Sequence, residues 1–130
     1  MAILVCGGAG YIGSHINKQL HKEGYETIVF DNLIYGHKEA VKWGKLVVGD
    51  LKNVDEIEAV FKNKQIDPVF HFAAYAYVGE SVDHPEKYYY NNVANTLNLL
   101  HVMMKYGCNK IIFSSTCATY GEPEKVPITE

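Results

Sequence analysis

Seven residues near the start of the chain constrain its fold more than any other stretch. Gly7-Gly8-Ala9-Gly10-Tyr11-Ile12-Gly13 follows an unbroken apolar run, Ala2-Ile-Leu-Val-Cys6, and leads into a segment with apolar residues at Ile12, Ile16 and Leu20. The run reads as a buried strand, and the four-residue spacing as a helix stopped by Gly24. Glycines between a strand and a helix permit a tight turn, close approach of a pyrophosphate, and close helix–strand packing. The helix N-terminus then presents N–H groups and a positive dipole end to phosphates. Thr27-Ile-Val-Phe-Asp31 is a second strand and closes on an acid eighteen residues after Gly13. Such an acid accepts from adenosine ribose hydroxyls and repels a 2′-phosphate, which favours NAD over NADP. The alternative is a glycine-rich turn without ligand, with Asp31 capping the next turn. A P-loop is excluded, because no Gly-Lys-Ser/Thr follows.

The rest of the chain continues the alternation. Leu46 to Val48 is a short third strand, and Asn53 with Glu56 resembles a capping box before a helix with Val54, Ile57 and Phe61 on one face. Val69 to Ala73 is a fourth strand, after Pro68. The longest helix is expected from about Glu86 to Tyr106, with an apolar stripe of Tyr89, Val93, Leu97, Leu100 and Met104 and with Gly107 as its C′ residue. Lys110 to Ser115 is a fifth strand. This pattern predicts an α/β fold, a Rossmann-type doubly wound parallel sheet with helices on both faces. The last residues hold two prolines, Pro123 and Pro127, and no closing element. The sheet is therefore expected to be incomplete at its C-terminus, with 1–130 the N-terminal part of one NAD-binding domain.

Composition excludes several classes. With 130 residues, 48% of them hydrophobic and 21% charged, the chain suits one packed domain. A net charge of −3 carries no basic surplus for nucleic acid. The apolar runs are too short to cross a bilayer, so no membrane association is expected. The N-terminus has no basic n-region and no cleavage site, so Met1 to Cys6 is not expected to be a signal peptide. Three cysteines (Cys6, Cys108, Cys117) without CxxC spacing argue against a disulfide framework or a zinc site. The six histidines show no metal spacing, and a reduced, cytoplasmic setting is the default.

A series of ordered motifs covers almost the whole chain: Gly7-Gly-Ala-Gly-Tyr-Ile-Gly-Ser-His15, Asp31-Asn-Leu33, Gly49-Asp-Leu51, His71-Phe-Ala-Ala74, Val78-Gly-Glu-Ser-Val82, Tyr88 to Val93, and Phe113-Ser-Ser-Thr116 with Tyr120-Gly121. In these the sequence resembles the extended short-chain dehydrogenases/reductases and, within them, the UDP-glucose 4-epimerases. The resemblance implies that Gly7, Gly10, Tyr11, Ile12 and Gly13 line the pyrophosphate of NAD, and that Asp31 and Asn32 hold its adenosine ribose. It implies that Asp50 and Leu51 lie beside the adenine, Phe72, Ala73, Ala74 and Tyr75 pass under the cofactor, and Asn91 reaches toward it. By the same resemblance Ser81 lies near a UDP-sugar, and Thr116 hydrogen-bonds the sugar's 4-hydroxyl as a catalytic residue. A homodimer pairing helices like that of Glu86 to Tyr106 is also implied.

Other readings stay open at these positions. Asp50 could be a turn residue and Thr116 an ordinary strand-end hydroxyl. Asn91, Asn95 and Asn98 could form a buried polar stripe, and Tyr88-Tyr89-Tyr90 reads as helix packing or a subunit contact. Many members of the resembled family carry a lysine shortly before Val-Gly-Glu-Ser, where this chain has the uncharged Tyr75-Ala76-Tyr77.

The resembled family's general base belongs to a Tyr-x-x-x-Lys pair on the helix after the fifth strand. The one match here, Tyr106-Gly-Cys-Asn-Lys110, precedes that strand and contains the helix-breaking Gly107, so the pair is expected beyond Glu130. The resemblance thus implies the NAD-binding part of an isomerase interconverting UDP-glucose and UDP-galactose by transient hydride transfer at C4. The 130-residue piece is expected to be inactive alone. Alternatives are another NAD-dependent nucleotide-sugar epimerase, dehydratase or reductase, or a non-catalytic NAD-sensing module. Cys117 and Ala118 after Thr116 offer no acid–base pair for water elimination, which counts against a dehydratase.

Overall fold

The structure, a computed structural model, describes residues 1–129 and, of Cys117, the backbone alone. The chain runs β1 (Ala2–Cys6), α1 (Tyr11–Lys22), β2 (Thr27–Asp31), a 3₁₀ turn (Lys38–Ala40), β3 (Lys45–Val48), α2 (Val54–Asn63) and β4 (Ile66–His71). It continues with α3 (Val78–Asp83), α4 (Pro85–Tyr89), a π turn (Tyr90–Ala94), α5 (Asn95–Lys105), β5 (Ile111–Phe113) and a second 3₁₀ turn (Cys117–Tyr120). The strands form one sheet in the order β3-β2-β1-β4-β5, with every pair parallel. This is the expected Rossmann-type α/β arrangement.

Alternation along the central strands divides the core. Ala2, Leu4, Cys6, Ile28 and Phe30 face α2 and α5, meeting Ile57, Phe61, Leu99, Val102 and Met103. Ile3, Val5 and Val29 face the other side, where Leu20 of α1 packs with Leu46, Phe70 and Phe72. Leu4, Phe30, Ile57 and Leu99 are fully buried, each contributing about 1.5–3 kcal/mol.

Several elements depart from the sequence expectation. The buried residues of α1 are Gly13 and Asn17, while Ile12 at its first turn is exposed. Asn17 has its Nδ2 donating to the Trp43 carbonyl at 2.9 Å, which satisfies one end of the buried amide, while its Oδ1 has no partner among the described residues. Asn53 does cap α2, accepting from the Asp55 N–H at 3.2 Å. The reciprocal half of the box does not form, because Glu56 accepts from the Asp50 N–H at 2.8 Å and from Asn53 Nδ2 at 2.9 Å. β4 starts earlier than Val69 and ends at His71. Its pairing with β1 shifts register between Ile66 and Val69, and this bulge takes Pro68, which has no N–H for the ladder.

The long helical segment is divided by the π turn, which inserts one residue into the helical repeat. Its core-facing residues are Leu99, Val102 and Met103. Of the stripe read from the sequence only Leu100 packs against the core, whereas Tyr89, Val93, Leu97 and Met104 are exposed. Gly107 ends the segment with φ +71°, as a C′ glycine should.

Candidate functional site

The strand order reverses direction between β1 and β4, and a cleft opens there at the carboxyl ends of the strands, where doubly wound sheets bind ligands. Four strand ends contribute to it: Gly7 and Gly10 after β1, Asp31 and Asn32 at β2, Asp50 and Leu51 after β3, and Phe72, Ala73, Ala74 and Tyr75 after β4. Asn91 joins them from the π turn. Tyr11 and Ile12 are not part of the lining; their side chains point to solvent, and what they bring is backbone N–H groups in the first turn of α1. No side chain caps that helix and its first turn holds no acid.

The turn is closed by backbone contacts that a side chain would disrupt. Gly7 has φ +75°, and a Cβ there would lie 2.6 Å from the Ala73 nitrogen. A Cβ on Gly13 would lie 2.2 Å from the Gly7 carbonyl oxygen and 2.8 Å from the Gly8 Cα. The loops after β1 and β4 and the start of α1 therefore touch backbone to backbone, leaving a shallow cradle at the mouth of the helix.

Both acids in the cleft are held by local bonds. Asp31 is 7% exposed; its Oδ2 accepts from the Ala9 N–H and its Oδ1 from the Leu33 N–H, each at 2.9 Å. Asp50 Oδ1 accepts from the Lys52 N–H at 2.9 Å, and its Oδ2 from Asn32 Nδ2 at 3.1 Å. Asp50 is thus a turn residue that also lines the cleft. The same duality appears on the asparagine face, where Asn91 lines the cleft and Asn98 donates to the Leu51 carbonyl at 3.0 Å. Beneath Asp31, burial and the Asp31 charge push the Cys6 thiol well above its ordinary range, so it stays protonated and unreactive. Burial, with Asp50 next, likewise raises the Tyr75 phenol.

A second cavity shares the wall Ala73-Ala74-Tyr75 with the cleft and is lined further by Ser81 and Thr116. Ser81 Oγ donates to the Val78 carbonyl at 2.7 Å, and Thr116 Oγ1 accepts from the Ala118 N–H at 3.2 Å. Thr116 is therefore a cap of the 3₁₀ turn as well as part of the cavity.

His71 lies under this cavity at the end of β4. The Thr96 hydroxyl donates to the Asn92 carbonyl at 2.8 Å, so it accepts from His71 Nε2 at 2.9 Å, and the ring is the Nε2–H tautomer. Nδ1 is buried without a partner among the described residues. Burial lowers the His71 pKa from 6.5 to about 4. An unfolded chain protonates this histidine near 6.5 and the folded one only near 4. Below the upper value the unfolded state binds more protons, and stability falls with falling pH by at most about 1.4 kcal/mol per unit. The urea midpoint is expected to drop between pH 6.5 and 4, and to drop less steeply in His71→Gln; identical slopes would refute the assignment.

Some site residues carried no usable sequence signal. Asn92, next to the expected Asn91, clamps Tyr75 from both sides: its Oδ1 accepts from the Tyr75 N–H at 2.8 Å and its Nδ2 donates to the Tyr75 carbonyl at 2.9 Å. Tyr35 and Gly36 line the cleft from the loop after β2. Among the described residues no group of His, Cys, Asp or Glu is arranged to hold a metal ion, and no helix is long and apolar enough to cross a membrane.

The parallel order, the reversal point and the glycine cradle are those of the Rossmann-type dinucleotide-binding proteins. Within that class, the family model described as "NAD dependent epimerase/dehydratase family" matches residues 3–130, and the chain belongs to that family. It is 49% identical over 128 residues to a UDP-glucose 4-epimerase of Rhizobium meliloti (strain 1021), covering 98% of this chain and 39% of that protein. It is also 49% identical over 138 residues to a putative UDP-arabinose 4-epimerase 2 of Arabidopsis thaliana, covering 98% and 33% respectively. The crystal structure of a UDP-glucose 4-epimerase from Brucella ovis in complex with NAD superposes with a TM-score of 0.91 at 48% identity, covering 99% of this chain and 40% of that one. The chain thus spans 33–40% of the length of these relatives.

Proposed function

We propose that the chain is the NAD-binding part, within one Rossmann domain, of a nucleotide-sugar 4-epimerase that interconverts UDP-glucose and UDP-galactose. The observation that carries the proposal is the pair of adjoining cavities sharing Ala73-Ala74-Tyr75, one with a glycine cradle and the acid that ends β2, the other with Ser81 and Thr116. The cradle fits a dinucleotide because glycines at 7 and 13 let β1 turn into α1 with backbone packed on backbone, and no side chain caps or opposes the N–H groups at the start of that helix. Gly7, Gly10, Tyr11, Ile12 and Gly13 would hold the pyrophosphate by backbone N–H groups, and Asp31 with Asn32 the adenosine ribose. Asp50 and Leu51 would flank the adenine, Phe72, Ala73, Ala74 and Tyr75 would form the floor, and Asn91 would reach in from the π turn. Bound NAD supplies a reversible hydride acceptor. Ser81 would bind the UDP-sugar, and Thr116, whose hydroxyl can donate as well as accept, would orient its 4-hydroxyl.

The test is an assay of the full-length protein with UDP-galactose and, separately, UDP-arabinose. The relative named for UDP-arabinose is as similar as the one named for UDP-glucose, so the second sugar is the alternative substrate. Conversion of neither, with NAD bound, would leave the NAD-sensing reading in place. Thr116→Val is expected to lower turnover roughly tenfold or more without loss of NAD, the scale of one hydrogen bond made to the reacting group.

The exposed stripe of Tyr89, Val93 and Leu97 supports a homodimer through this helical face, and Leu97→Glu is expected to give monomers in sedimentation. An unchanged mass would remove the stripe from that role. The unpaired, buried thiols of Cys6 and Cys108 support a reducing, cytoplasmic setting.

A further inference from the structure

β2 and β4 lie on either side of β1, and the loops that leave them both line the cleft. The Tyr35 ring, from the β2 side, stands edge-on to Tyr75, from the β4 side, with centroids 5.2 Å apart. Lys87 of α4 fastens this contact. Its ammonium lies 4.9 Å from the Tyr75 ring centroid and donates to the Tyr35 hydroxyl at 3.3 Å. Glu80 of α3 orients it, accepting from Lys87 Nζ at 2.6 Å and from the Tyr88 hydroxyl at 2.7 Å. The carboxylate and the Tyr35 hydroxyl keep Lys87 protonated, and Lys87 holds Glu80 ionised. Tyr35 and Tyr75 both line the cleft, so a cation from outside its lining ties its two walls together.

We infer that Lys87 is a positioning residue for the cofactor: with Tyr35, Tyr75 and Glu80 it forms a clasp across the cleft that must open before a bound dinucleotide leaves. This rests on the NAD-binding role proposed above. The clasp is built from partly exposed groups, with the side chains of Lys87 and Glu80 36% and 33% accessible, so it can break without disturbing the core. Tyr35 also stands edge-on to Tyr77 with centroids 5.2 Å apart, and its loop is anchored at Ile34, whose N–H donates to Asn32 Oδ1 at 3.1 Å, and at His37, whose N–H donates to the Ala9 carbonyl at 3.0 Å.

The experiment measures NAD release from the full-length, NAD-loaded protein in stopped flow, and amide exchange at Ile34 and His37 in the NAD-free protein. Lys87→Met keeps the chain length and removes the charge. It is expected to speed NAD release about tenfold, the scale of one cation–π contact with one hydrogen bond, and to raise exchange at both amides. The melting temperature should stay unchanged. Lys87→Arg, which keeps a cation over Tyr75, is expected to restore slow release. NAD bound and released at one rate by wild type and Lys87→Met overturns the clasp alone. A wild-type protein that takes up no NAD overturns the proposed function and the clasp with it.

Discussion

Replacing Gly13 by alanine is expected to lower NAD affinity by roughly 100-fold, the worth of two lost phosphate contacts of about 1.5 kcal/mol each. The new methyl would lie 2.2 Å from the Gly7 carbonyl oxygen and 2.8 Å from the Gly8 Cα, atoms that no rotamer change can move aside. The loop cannot retreat either. The Gly7 N–H donates to the Phe30 carbonyl at 2.9 Å, and its other side abuts the Ala73 nitrogen. α1 must therefore shift outward and carry its first-turn N–H groups away from the cradle, with a stability loss on the order of 3 kcal/mol. Gly24→Ala is the control. Nothing lies within 4 Å of its Cβ position, and its φ of +84° predicts a modest stability loss with NAD binding intact. Calorimetric titration with NAD and thermal unfolding read both effects. A Gly13→Ala protein that binds NAD as tightly as wild type would remove the helix terminus from the pyrophosphate site.

Asp31→Ala is expected to shift preference from NAD toward NADP by about 10- to 100-fold, because a charge-assisted bond to a ribose hydroxyl is worth about 1.5–3 kcal/mol and the repulsion of a 2′-phosphate disappears with it. The absolute affinities will fall for both cofactors. The carboxylate also accepts from the Ala9 and Leu33 N–H groups, and Leu33 sits at φ +59° in the turn that this second bond closes. Removing it leaves the buried Ala9 donor unpaired at a cost of about 1–3 kcal/mol. Asp31→Asn, which keeps one acceptor oxygen, should show the same change in preference with less loss of stability. The decisive quantity is the ratio of the two dissociation constants. An equal loss for NAD and NADP would take Asp31 out of the ribose site.

Features set by neighbouring residues were legible in the sequence. The glycine turn, Asp31 at the end of β2, the capping Asn53 and the C′ Gly107 each depend on a few adjacent positions, and the five strands follow from short apolar runs. What escaped depends on distant partners. Glu56 meets the Asp50 N–H because the loop after β3 folds back on the helix start, and this contact replaces the reciprocal half of the capping box. The π turn has no local marker in Tyr90-Asn-Asn-Val-Ala94, yet it sits where Asn91 reaches the cleft and Asn92 reaches Tyr75. Lys87 and Tyr35 are 52 residues apart and meet only because two strand ends converge. The stripe on the long helix is apolar like a core face, and periodicity cannot tell a face that packs inward from one that points to solvent. Leu99, Val102 and Met103 face the sheet instead, because α5 packs on it from the side that α2 shares.

Every residue of β1 is buried, and each of its two neighbours reaches it only after an intervening helix. During synthesis on the ribosome, Ala2–Cys6 therefore emerges long before either flank exists. At about 5–20 residues per second, roughly 3–13 s separate the appearance of Cys6 from that of His71, which it pairs with. The backbone of this five-residue apolar segment has no partner on either side until Phe30 appears, about 1–5 s after Cys6, and none on the β4 side until His71 does. A holdase that binds short apolar stretches would find a target there. The strand that later carries the glycine turn into the cleft is thus also the one that leaves the growing polypeptide dependent on such help.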